Sequence, residues 1–132
     1  MTTEWAHLPN AVHIGRVLAS LNSNPDQWRA AWESRSWDQL YAAWEAAHDI
    51  LKEHGRQSAW VAARNVVWDA TSADVAREAT EYALLALVAY DECAYMLDSD
   101  PGELAILAAL GDNRAVLILP ACKVFHLLKT IA

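Results

Sequence analysis

Apolar residues recur every three or four positions along most of this chain, and nowhere alternate one in, one out as a half-buried strand requires. The stretch the rest must pack around is Ala73 to Leu97, ADVAREATEYALLALVAYDECAYML. Its first half is amphipathic, with Val75, Ala79, Tyr82, Ala86, Tyr90, Cys93 and Leu97 on one stripe. From Tyr82 onward it is apolar nearly all the way round, the pattern of a helix enclosed by others. Asp91 interrupts that half, near Leu84, Leu87, Val88, Ala94 and Tyr95 on the same face. An acid in such a row needs a partner, and Tyr or Trp donors or one of Arg16, Arg64 and Arg114 are expected to supply it.

The remaining elements follow from the same period and from capping residues. Leu8 to Leu21 reads as a first helix, turning Val12, Val17, Leu18 and Leu21 inward. Asn24-Pro25 starts a second, Pro25 to Arg35, with Trp28 and Trp32 one turn apart. Ser36 can cap a third, Trp37 to His54, stopped by Gly55. Its inner stripe is Trp37, Leu40, Tyr41, Trp44, His48 and Leu51, with Asp38, Glu45, Asp49, Lys52 and Glu53 facing away. A fourth, Ser58 to Ala70, carries Trp60, Ala63, Val67 and Trp68 inward. Thr71-Ser72-Ala73-Asp74 resembles a capping box that restarts the chain into the central helix. Asp98-Ser99-Asp100-Pro101 opens a helix to Leu110, stopped by Gly111. Asp112 caps the last, Asn113 to Ile131, which Pro120 should kink. The expected fold is all-α, a compact bundle of six or seven helices around the central apolar helix, in one domain spanning 1–132.

Composition agrees. The chain has 132 residues, 55% of them apolar, so it can bury about two thirds of its unfolded surface and is not expected to be disordered. The net charge of −7 is unevenly spread: residues 69–112 hold ten acids against Arg77 alone. Such a surface repels phosphates and anionic lipid, so neither direct nucleic-acid binding nor a membrane partner is expected. An acidic span of this kind is either a solvated face or an imitation of nucleic-acid charge that occupies a basic groove on another protein. Cys93 and Cys122 lie in apolar helical contexts and read as two buried free thiols, which fits a cytoplasmic protein. MTTEWAHLPN has neither a basic nor an apolar leader segment, and no apolar run reaches the ~18 residues of a membrane span.

Six of the seven tryptophans lie between positions 28 and 68. WRAAWE at Trp28 to Glu33 and LYAAWE at Leu40 to Glu45 echo each other, and AWVAARNVVWDA is a looser copy. Large rings spaced by alanine pairs build either a core of indole knobs in alanine holes or an exposed aromatic patch awaiting a partner. The repeat, followed by LLALVAYDECAYMLDSDPGELAILAALGDNRAVLILPACKVFH, resembles a group of small Ala/Trp-rich helical proteins of tailed phages and environmental viral sequences. The likeness runs from Trp28 to His126 and is best over Tyr82 to His126. It implies a small accessory protein acting on a host or virion component, in the cytoplasm of a bacterial host cell.

The chemistry-bearing residues offer one enzymatic pattern. His13, His48-Asp49 and Asp91 resemble the H…HD…D order of HD-domain phosphohydrolases, helical enzymes in which two histidines and two aspartates hold one divalent metal. The chain departs from that pattern: no Gly-Lys follows Asp49, Asp49 falls on the polar face, and no Lys/Arg cluster is present to hold phosphates. Glu45-x-x-His48 is half of a di-iron bundle pairing whose second half is missing. There is no CxxC, GxSxG, P-loop or GxGxxG. The first expectation is therefore a non-enzymatic acidic interaction protein, phage-encoded, binding a host or viral protein and needing no cofactor. The alternative is an HD-like phosphohydrolase with a divalent metal on His13, His48, Asp49 and Asp91. A third is a structural or assembly component that works as an oligomer. The stripe Val116, Leu117, Leu119, Val124, Phe125 and Leu128 would then serve either as core or as a homodimer seam.

Overall fold

The structure, a computed structural model, describes residues 5–32, 37–70 and 75–131. Among them the chain forms seven α-helices and no strand. In order these are α1 (Ala11–Ser23), α2 (Pro25–Trp32), α3 (Trp37–His54), α4 (Gln57–Ala70), α5 (Val75–Ala89), α6 (Pro101–Ala109) and α7 (Asn113–Ile131). A short 3₁₀ turn, Ala94–Asp98, precedes α6. The expected Ser36 cap and the Thr71–Asp74 capping box lie outside the described residues.

Helix α5 is enclosed, as its all-round apolar second half predicts. Every residue from Ala83 to Ala89 is buried, and α5 packs against α1, α2, α3, α4 and α7. Helix α7 is the second hub, lying on α2, α3, α5 and α6. Its Val116, Leu117, Val124 and Phe125 are buried, with Leu119 and Leu128 packed against them, so this stripe serves as core.

The central helix is shorter than its sequence pattern suggests, ending at Ala89 rather than Leu97. Side chains from elsewhere take the carbonyls that would carry it on. Buried Asn10 donates through Nδ2 to the carbonyls of Leu87 (2.9 Å) and Tyr90 (2.7 Å). Arg56 donates to the carbonyl of Val88 (3.1 Å), and the Cys93 thiol to that of Ala86 (3.4 Å). Asp91 consequently sits on an exposed turn, not in an apolar row, and its partner is Arg56 at 2.5 Å rather than Arg16, Arg64 or Arg114.

The helix ends follow local rules. Gly55 (φ +64°) and Gly111 (φ +92°) take the left-handed conformation that terminates α3 and α6. The following amides, Arg56 and Asp112, reach back to the carbonyls of Leu51 (2.9 Å) and Leu107 (3.1 Å). Asp100 accepts from the Glu103 amide at the start of α6, and Asp112 from the Arg114 and Ala115 amides at the start of α7.

The facing of three helices differs from expectation, in α4 only at Trp68, which is 44% exposed. In α1, Val12 is 80% exposed while Ile14 is fully buried beside Val17 and Leu21. In α3, Ala43 and Ala47 are fully buried with Leu40 and Leu51, whereas Tyr41 is 66% exposed. Small side chains let α3 lie close to both α5 and α7, and this rotates the larger rings of α3 to the rim.

Candidate functional site

Burial divides the described tryptophans, with Trp5 and Trp60 also in the core. Trp28 and Trp32 of α2 are fully buried, and the Trp28 indole N–H donates to the Ser20 hydroxyl at 3.1 Å. Trp44 of α3 and Trp68 of α4 remain 39% and 44% exposed. The indoles of the first repeat are thus core, set against the rings of Phe125 and Tyr82, while Trp44 of the second stays partly in water.

The exposed set borders a cleft between α3, α4 and α5. A cavity of about 210 Å³ is lined by Trp44, Trp60, Tyr82, Glu78 and Glu81. The His48 ring fixes the two indoles: its centroid lies 4.0 Å from that of Trp44 and 5.9 Å, edge-on, from that of Trp60. Tyr82 is stacked on buried Trp32 at 5.0 Å, which immobilises the third ring. Glu78, Glu81 and Tyr82, three and four residues apart, supply the α5 side. Glu81 accepts a hydrogen bond from the Trp68 indole N–H and lies 4.0 Å from Arg77 Nε. Burial pushes its carboxyl above the usual carboxylate range and neighbouring Glu78 adds to this, while the Trp68 hydrogen bond, Arg77 and Arg64 act the other way.

The four residues of the metal pattern are not brought together. His13 is half-buried on α1, and its Nδ1 has no hydrogen-bond partner. His48 belongs to the aromatic cleft; its Nε2 is likewise buried without a partner, and burial, Lys52 and Arg64 lower its pKa. Asp49 is exposed, and Asp91 is bound to Arg56, which holds its carboxyl below the usual range. Among the described residues no three His, Cys, Asp or Glu side chains gather to hold a metal ion. The H…HD…D order is therefore not a constellation in space. Adjacent residues of one helix point about 100° apart, and an arginine engages the fourth member.

The acidic span is also changed by folding. Among the described residues four of these acids are paired with cations: Asp91 with Arg56, Asp98 with Arg16 and Lys129, Asp112 with Arg114, and Glu81 with Arg77. Among the described residues Glu78, Glu92 and Glu103 are exposed and carry no ion pair. Burial raises the Cys93 thiol to about 12 and the Cys122 thiol to about 11, so neither forms thiolate at neutral pH. No helix among the described residues is long and apolar enough to cross a membrane.

The fold and the cleft define a class: an all-helical protein with an aromatic, carboxylate-edged recess between three helices. Compared with models of known families, with curated proteins and with solved structures, the chain finds no match.

Proposed function

We propose that this protein is a non-enzymatic interaction protein that binds another protein, of a host cell or of a virus, through its aromatic and acidic face. The observation that carries the reading is the exposure of Trp44 and Trp68 next to Glu78 and Glu81. Indole left in water costs free energy that burial in an interface recovers, and Trp is enriched among interface hot spots. The carboxylate of Glu78 beside it, which carries no ion pair, steers basic partners. The resemblance of the C-terminal half to small phage proteins supports a bacterial host cell as the setting. The test is capture from bacterial lysate with immobilised protein in low and moderate salt. A specific partner should be retained at low salt, weaken as salt rises, and be lost with Trp44→Leu. A capture profile that Trp44→Leu leaves unchanged would overturn the reading.

One observation favours a second reading, an assembly component. Helix α6 buries only Leu104 and Ala108, leaving Ile106 and Leu107 exposed, with Leu110 just beyond its end exposed as well. Under this reading sedimentation shows self-association that rises with concentration and is abolished by Leu110→Lys. A strict monomer at all concentrations removes it.

A further inference from the structure

The cleft has the composition of a receptor for an organic cation. Three rings, Trp44, Trp60 and Tyr82, form the apolar walls, and on one side stand Glu78, which carries no ion pair, and Glu81, which is paired with Arg77. The faces of aromatic rings are negative and attract cations, most strongly where water is displaced. The protein already uses that attraction next door: Arg64 and Arg77 stand 4.5 and 5.0 Å from the centroid of Trp68. Among the described residues neither Trp44 nor Trp60 has a cation over its ring.

From this arrangement we infer that the Trp44–Trp60–Tyr82 cleft binds a quaternary ammonium group, a positive charge carried on methyl groups. Two features select that chemistry over a bare ammonium. A primary ammonium needs three hydrogen-bond acceptors around it, but here the carboxylates come from α5 alone and the other walls are rings. The cavity of about 210 Å³ also exceeds what a single ammonium nitrogen fills, whereas a cluster of methyl groups can touch all three rings. A cation seated there would offset the like-charge repulsion between Glu78 and Glu81. The groups facing the Glu81 carboxylate are Trp68 and Arg64 of α4 and Arg77 and Glu78 of α5. Binding should therefore weaken as acid protonates Glu81. The inference rests on reading the cleft as a recognition surface, and adds the chemistry of what is recognised.

Choline and its uncharged carbon isostere, dimethylbutanol, provide the test, titrated at constant ionic strength with tryptophan fluorescence and amide chemical shifts as readouts. Choline is expected to bind at least about tenfold more tightly than the isostere. Trp44→Leu and Glu78→Gln, both at exposed positions, should each weaken choline severalfold, while Tyr95→Leu, an exposed control that does not line the cleft, should not. Circular dichroism would verify that each variant is folded. Equal affinity for choline and isostere, no binding of choline, or binding insensitive to both cleft variants would each overturn the inference. A trimethyllysine peptide binding more tightly than choline would place the group on a partner protein, and the reverse would make it a free small molecule. If choline fails while salt-sensitive capture of a partner persists, the cation inference falls and the interaction reading stands. If choline binds and no partner is captured, the reverse holds.

Discussion

Asn10 shows how much one polar side chain can decide. It is 3% exposed, comes from the turn before α1, and donates to two carbonyls near the end of α5 across about eighty residues of sequence. Asn10→Ala leaves both carbonyls buried with weaker partners and should cost about 2–3 kcal/mol, read as a lower urea midpoint at unchanged slope. Asp98 acts at the surface. Its hydrogen bond to Arg16 (2.6 Å), then its contact with Lys129 (3.0 Å), hold the carboxyl well below its ordinary value of 3.8. A carboxyl depressed in the folded state contributes stability above its unfolded value and loses it as pH falls below that value. Because the pair is part-exposed, the contribution is at most about 1 kcal/mol. Asp98→Asn should therefore lower stability slightly at neutral pH and flatten the acid limb of a stability–pH curve. An acid limb identical to that of the parent protein would contradict the assignment.

At the scale of elements, the helix boundaries at Gly55 and Gly111 rest on backbone conformation, not on contacts. No heavy atom lies within 4 Å of a Cβ built at either glycine, yet both have positive φ. Gly55→Ala and Gly111→Ala should each destabilise by about 1 kcal/mol through strain alone, with no loss of packing. Thermal melts of the two single variants and the double variant should show additive losses, since the sites end different helices. The Gly55 and Gly111 stops were both legible in the sequence, because a glycine after the last periodic residue has a local meaning. The end of α5 was not. Nothing in LLALVAYDECAYML announces that Asn10 and Arg56 will claim its carbonyls, so the apolar run reads straight through Tyr90.

For the whole molecule, α5 should behave as the member whose damage spreads furthest, since it touches five other helices. Leu84→Ala, at a fully buried site on α5, should cost about 2–5 kcal/mol. Val12→Ser, at a site 80% exposed, should fall within about 0.5 kcal/mol of the parent protein. Chemical denaturation of both would separate the enclosed helix from the rim. The candidate site was partly legible at this scale. The Trp/Ala repeats marked the region that holds Trp44 and Trp60, and the −9 balance over residues 69–112 marked the helix that adds Glu78 and Glu81. Their meeting was not legible, because α3, α4 and α5 form the cleft only after the alanines of α3 have turned inward and carried Trp44 to the edge. His48 illustrates the same limit: paired with Asp49 it suggests a metal ligand, and in space it is a spacer between two indoles.

The sequence by itself determined the helical class, the order of the helices and the identity of the enclosed one. Those depend on a period of 3.6 residues and on caps a few residues away. The tertiary structure alone decided which tryptophans stay in water, which acids are neutralised and where the central helix stops. Each of those depends on groups far apart along the chain arriving at one place, and no local pattern records that arrival.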